Sequence, residues 1–237
     1  CMARLEWMAL TALSTGYLQL STTNNPQGII NETTIDFGLP TANKQVVSVV
    51  WNSTNAGNGT MVPITDFLAV VKAGRALGIT FRRILMTSDT FDLMCTATGF
   101  TKYFANTQLS SVTTALTLEN INNVLTAYRI PPITLIDTYV GIEAKSGTIT
   151  QTNPWSTTHI LFVPDVQVGN MYNGPIAEQI ERPDGVLLST RGCVSLSIRR
   201  EYNPVSVLTK GECNAFPSWP SVDRCMNLYT GSASTWA

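Results

Sequence analysis

Residues able to do acid–base, nucleophilic or metal chemistry are few and dispersed in this chain. The single histidine, His159, begins an apolar run, His159–Val163. A catalytic imidazole needs a partner to orient it, so a lone histidine on a strand reads as a structural residue. Ser195 lies inside the strand pattern Val194–Ile198, not on the sharp strand-to-helix turn that exposes a hydrolase nucleophile, and no G-x-S-x-G is present. Asp36, Asp66, Asp89, Asp92, Asp137 and Asp165 are spread along the chain. Two convergent carboxylates could cleave a glycoside, but no spacing here gathers a pair, and Asp165 after Pro164 reads as a turn residue. Gly57 and Gly59 sit in an Asn-rich loop without the strand–helix context of a phosphate cradle. The five cysteines, Cys1, Cys95, Cys193, Cys213 and Cys225, are odd in number, form no C-x-x-C and do not cluster with His159. They support neither a zinc site nor a disulfide framework; unpaired, reduced and mostly buried thiols are expected. No calcium-loop spacing occurs. The expectation is no catalytic residue, no cofactor and no metal.

Composition points the same way. Charged residues make up 13% of the 237 residues, against ~25% in ordinary soluble domains. Apolar residues reach 44%, yet no run approaches the ~18 consecutive apolar residues of a membrane span. A chain so poor in charge either hides surface against other subunits or keeps itself in solution with Ser, Thr and Asn. The net charge of −1, with Arg82-Arg83 and Arg199-Arg200 as isolated pairs, offers no basic stripe for nucleic acid or anionic lipid. Asn31, Asn52 and Asn58 each head an N-x-S/T sequon, which chance explains in so Asn- and Thr-rich a region.

The elements that would position any site alternate between helix and strand. Leu5, Met8, Ala9, Ala12 and Leu13 mark one buried stripe of a helix over Met2–Thr15, and Gly16 stands at its C-terminal cap. Strands are predicted at Tyr17–Leu20, Thr33–Phe37 and Gln45–Val50, followed by a loop at Asn52–Thr60. Pro63 opens a helix that Gly78 stops, Phe81–Thr87 is a strand, and Ser88 caps a helix ending near Gly99. Thr117 caps a further helix, ended by Pro131-Pro132, and Ile133–Val140 is a strand. Gly141–Ser156 reads as an extended hairpin with Gly147 near its tip, His159–Val163 as a strand and Val168–Gly174 as a tight turn. Val186–Leu188 and Val194–Ile198 are strands, Asn203–Pro220 is irregular, and Arg224–Tyr229 is a last short strand.

Taken in order, Arg4–Gly16 (RLEWMALTALSTG), Val46–Trp51 (VVSVVW), the helix–strand–helix unit Pro63–Gly99, Ile136–Val140 (IDTYV), Phe162–Asp165 (FVPD), Val168–Asn170 (VGN) and Pro217–Thr230 resemble the major capsid protein E family of lambda-like tailed phages. The resemblance covers nearly the whole chain, and it rests on the order and spacing of short motifs. It implies an α+β Hong Kong 97-like phage capsid fold: a spine helix, a peripheral β-rich domain and an axial α/β domain. Residues 1–62 would hold the end of the spine and peripheral strands, 63–180 the axial domain, and 181–237 a peripheral segment returning to a last axial strand. The upstream arm, the β-ribbon and the start of the spine would lie outside this sequence.

The implied role is structural. It is that of a major capsid (head) protein that self-assembles as hexamers and pentamers of an icosahedral shell. The shell would enclose DNA without sequence-specific binding, with scaffold, decoration and portal proteins as further partners and no membrane. Localisation would be the virion, and the bacterial host cytoplasm during assembly. The resemblance also points to the low-charge segment Phe104–Thr117 as the axis contact, with Phe104, Asn106, Gln108, Ser110, Ser111 and Thr113 as candidate subunit-interface residues. Six copies brought close together would repel if each carried several like charges there. Other readings are an α+β domain of unrelated role, a secreted or surface β-rich binding module, and an encapsulin-like compartment protein.

Overall fold

A computed structural model describes residues 2–21, 32–105, 116–143, 146–164, 167–181 and 184–236. Helix α1 spans Met2–Thr15 and leads through Gly16 into the antiparallel pair β1 (Tyr17–Leu20) and β2 (Thr33–Asp36). The chain continues through β3 (Lys44–Val46), a short α2 (Ser53–Gly57), α3 (Pro63–Ala76), β4 (Arg83–Met86), α4 (Ser88–Thr96) and α5 (Thr98–Ala105). Then come α6 (Leu118–Ala127), β5 (Ile133–Leu135), the hairpin β6 (Val140–Glu143) and β7 (Ile149–Thr152), β8 (His159–Val163), β9 (Asn170–Gly174) and α7 (Ala177–Ile180). Strands β10 (Val186–Arg191), β11 (Val194–Tyr202), β12 (Val205–Glu212), β13 (Asn214–Ser218) and β14 (Met226–Tyr229) complete the mixed α+β fold.

The centre is a five-stranded sheet in the order β3-β14-β8-β4-β5. Strand β8 is buried at all five positions because both faces of the sheet are covered. Strand pairing puts Ile84, Phe162 and Met226 on one face. There they pack with Phe67 and Val71 of α3, Met94 of α4, Phe100 of α5, and Ile121 and Leu125 of α6. The opposite face carries Leu85, Leu161 and Val163, packed with Leu39, Trp155, Trp219 and the half-buried Leu10 and Leu13 of α1. Leu5 and Ala12 are buried, Met8 is half-buried and Glu6 is exposed, in keeping with the predicted stripe. The last turn of α1 is tied to β14, because Asn227 Nδ2 donates to the Ser14 carbonyl at 2.6 Å. Strand β3 is at the edge of this sheet and pairs in parallel with β14, which in turn pairs antiparallel with β8.

Several elements depart from the sequence expectation for local reasons. The strand predicted over Gln45–Val50 leaves the sheet after Val46, where Asp66 takes Ser48 N and Oγ at 3.0 and 2.7 Å. Within Asn52–Thr60, the Asn52 side chain accepts from Asn55 N and caps α2. Thr87, not Ser88, caps α4. The run Ile133–Val140 breaks in two around Asp137, whose carboxylate binds Ser88 N at 3.0 Å. Gly99 stops no helix. It lies inside α5, where a Cβ would collide with the Met61 carbonyl. Two corrections are larger: Val168–Gly174 contains β9 and Asn203–Pro220 contains β12 and β13, because β13 pairs with the distant β9 and β12 with β11.

Candidate interaction surface

The residues singled out for chemistry are occupied with structure. His159 is buried, its Nδ1 2.9 Å from Ser156 Oγ and 3.2 Å from Thr158 Oγ1, and its ring meets Trp236 edge-on. The Ser195 hydroxyl is buried and accepts from Gln179 Nε2 at 2.8 Å. Asp66 receives the Trp51 indole and Ser48, Asp137 receives Ser88, and Asp36 receives Gly38 N at 2.8 Å. Asp165 lies outside the described residues. Among those described, no three His, Cys, Asp or Glu side chains converge as a metal site, and no helix is long and apolar enough to cross a membrane. Cys95, Cys193, Cys213 and Cys225 are free thiols. Burial pushes Cys225 up to about 11, and burial with the neighbouring Asp92 does the same for Cys95.

Of the candidate interface residues, the structure places only Phe104. Its ring lies 4.9 Å from Phe100 at the end of α5, packed against the core and half-buried. Asn106, Gln108, Ser110, Ser111 and Thr113 lie outside the described residues. Before that segment, Tyr103 of α5 meets Tyr128, just past the far end of α6, edge-to-face at 5.6 Å.

Sequence reasoning missed a second surface. Strands β10, β11 and β12 form an antiparallel sheet of their own. Its register sorts the side chains into two faces. One face holds Ser195 and Ser197, both buried, and meets α7. There Gln179 donates to Thr190 and Ser195, and Lys210 pairs with Glu178 at 2.9 Å and with Glu212 at 2.6 Å. The Lys210 hydrogen bond holds the Glu178 carboxyl below its ordinary range, while the bonds to Glu212 and Glu178 raise Lys210. Neither direction translates into much stability, since the group is solvent-screened.

The other face carries Leu187, Val194, Leu196, Ile198 and Val207, with Tyr202 and Val205 at the tip. Leu187 and Val207 are each 63% exposed and Val205 87%. The charged groups sharing that face are Arg191 and Arg200. Scattered apolar residues on a surface need no explanation, but a contiguous apolar sheet face marks a contact site. The alternation Val194-Leu196-Ile198 was a legible signal. Its continuation across Val205 and Val207 falls in a stretch whose Pro204, Gly211, Pro217 and Pro220 give it an irregular pattern.

A groove of about 1010 Å³ opens at the root of this sheet, lined by Leu5, Met8, Ile142, Ile176 and Phe216 among others. Arg4, Glu143, Lys210 and Glu212 supply its charges.

No known family profile matches the chain, and no curated protein does. Solved structures do. A protein of Escherichia coli CFT073, provisionally assigned as a prophage capsid protein, superposes with a TM-score of 0.58 over 96% of this chain at 14% identity. The chain shares the α+β fold of that protein. This chain spans 62% of that neighbour's length. A phage-related protein of Bordetella bronchiseptica RB50 aligns over 81% of the chain and 57% of its own, at 10% identity and a TM-score of 0.45.

Proposed function

We propose that this chain is the major capsid protein of a tailed phage or prophage, of the lambda-like E family and the Hong Kong 97 type. It would form hexamers and pentamers of an icosahedral shell around DNA that it does not read. The observation that carries this reading is the superposition of nearly the whole chain on the E. coli prophage protein. The low charge and the open apolar sheet face support it, because a shell subunit works through broad neutral contacts. In this reading the chain is no enzyme and acts in the virion after assembly in the bacterial cytoplasm. Scaffold, decoration and portal proteins are its further partners. Residues 1–62, 63–180 and 181–237 serve as spine end with peripheral strands, axial domain, and returning peripheral segment. The segment from Phe104 through Asn106, Gln108, Ser110, Ser111 and Thr113 meets its copies at the axes.

Electron microscopy and light scattering of the natural protein expressed alone test the reading. Rings or closed particles are expected, and Val207→Lys, which places a charge on the apolar face, should reduce them while leaving the subunit folded. A monodisperse monomer at every concentration tried would remove the shell reading and favour a binding module.

A further inference from the structure

The sheet β10-β11-β12 is covered on one face only. Along β11, Ser195 and Ser197 are buried on the side that meets α7, whereas Leu196 between them is 38% exposed on the other. The open side keeps one register across all three strands: Leu187 stands opposite Ile198, Arg191 opposite Val194, and Val207 opposite Arg200. Its centre is an aliphatic stripe with one guanidinium near the root and one towards the tip. Arg191 and Arg200 are exposed, and among the described residues neither forms an ion pair and no carboxylate shares their face. A sheet face this apolar is completed by a further layer, a helix or a second sheet, because an added strand pairs only at an edge. Three strands about 4.8 Å apart present a strip roughly 10–14 Å wide, close to the diameter of one α-helix with its side chains. A second copy laid face to face would bring four arginines together with no carboxylate between them, an arrangement that like-charge repulsion opposes.

We propose that this face is the docking site for an acidic amphipathic α-helix of another protein. The helix would lie along β11 with its apolar stripe on Leu187, Leu196, Ile198 and Val207, and two carboxylates flanking the stripe would pair with Arg191 and Arg200. Arg191 faces Val194, six positions before Arg200 on β11. That separation is about 20 Å at roughly 3.3 Å per residue. Two carboxylates on one side of a helix match it when they stand about 14 residues apart, which is about four turns and 21 Å. Arginine suits the role, because its planar fork holds a carboxylate through two parallel hydrogen bonds. Apolar burial would supply affinity, while the two charges would set the helix's position along the strands and select acidic helices over basic ones. An anionic membrane is the poorer fit, since adhesion to such a surface takes a cluster of about 4–8 basic residues, and this face carries only Arg191 and Arg200. The proposal does not rest on the shell reading, which requires only that copies assemble.

The test is fluorescence anisotropy of labelled helical peptides, each about 20 residues long, titrated with the complete chain. All are built on leucine and alanine: one has a leucine stripe flanked by two glutamates about 14 positions apart, one has lysines in place of the glutamates, and one keeps the glutamates but scrambles the stripe. The glutamate peptide should bind at least about ten-fold more tightly than either control, and Val207→Lys should weaken it by a similar factor. Arg191→Glu combined with Arg200→Glu should reverse the preference, so that the lysine peptide binds better. Equal affinity of the wild type for the glutamate and lysine peptides, or no saturable binding of the glutamate peptide, would overturn the proposal. Co-sedimentation with vesicles of mixed phosphatidylserine and phosphatidylcholine as tight as the peptide would reassign the face to a membrane. Dimerisation in analytical ultracentrifugation that Val207→Lys abolishes, with no peptide bound, would reassign it to a second copy and leave the shell reading standing. A chain that binds the peptide but forms no rings would sink the shell reading alone. The wild-type titrations decide the matter even where a variant does not fold.

Discussion

The indole N–H of Trp51 donates to a carboxylate oxygen of Asp66 across 2.9 Å, and both residues are buried. The same carboxylate receives the backbone and side chain of Ser48. One carboxylate in the first turn of α3 therefore fixes the segment that follows β3 at the edge of the central sheet. Replacing Asp66 with alanine leaves the buried indole N–H and Ser48 N without their acceptor. The expected loss is about 2–4 kcal/mol of unfolding free energy, read from urea denaturation. A loss under ~0.5 kcal/mol would show that water replaces the carboxylate.

Gly99 is the second test of packing. A Cβ there would meet the Met61 carbonyl, which is backbone and cannot swing aside. Gly99→Ala should cost about 1–3 kcal/mol despite the better helix propensity of alanine. Stabilisation instead would mean that α5 shifts freely on the 59–62 segment.

Alkaline pH should destabilise the chain through its buried thiols. Cys225 is held at about 11 by burial, against an ordinary value of 9.0. Below pH 9 the folded and unfolded chains both carry that proton. Between pH 9 and about 11 only the folded chain does, so stability falls across that window. Denaturant titrations at pH 8 and pH 10.5 should show the loss, and Cys225→Ala should reduce its slope. An unchanged slope would assign the alkaline loss to other groups.

The axis assignment of the segment after Phe104 predicts a separation of folding from assembly. With Gln108, Ser110 and Ser111 all changed to aspartate, the subunit should keep its thermal midpoint while rings and particles fail. Copies brought together at an axis would then each carry three added negative charges. Normal particles from this triple variant would take the segment off the axis.

Sequence alone determined the local elements whose signals lie within a few residues. The Leu5–Ala12 stripe, Pro63 at the start of α3, Thr117 capping α6 and the Gly147 hairpin all rest on periodicity or on one capping residue, and each stands in the structure. Their alternation gave mixed α and β, and the α+β class came with the family resemblance. Tertiary structure alone decided whatever depends on partners far along the chain. Asn170–Gly174 and Asn214–Ser218 have no strong strand signal and become strands by pairing with each other. Lys44–Val46 and Met226–Tyr229 become neighbours in the central sheet although the paired Lys44 and Asn227 are 183 positions apart. The exposed face of Leu187, Leu196 and Val207 stands between the two cases: its alternation belongs to neighbouring hairpins, but its exposure depends on what the rest of the fold leaves uncovered. Local alternation and turn geometry fix the register within a hairpin, whereas the pairing of distant strands is decided by burial and hydrogen bonding across the whole fold.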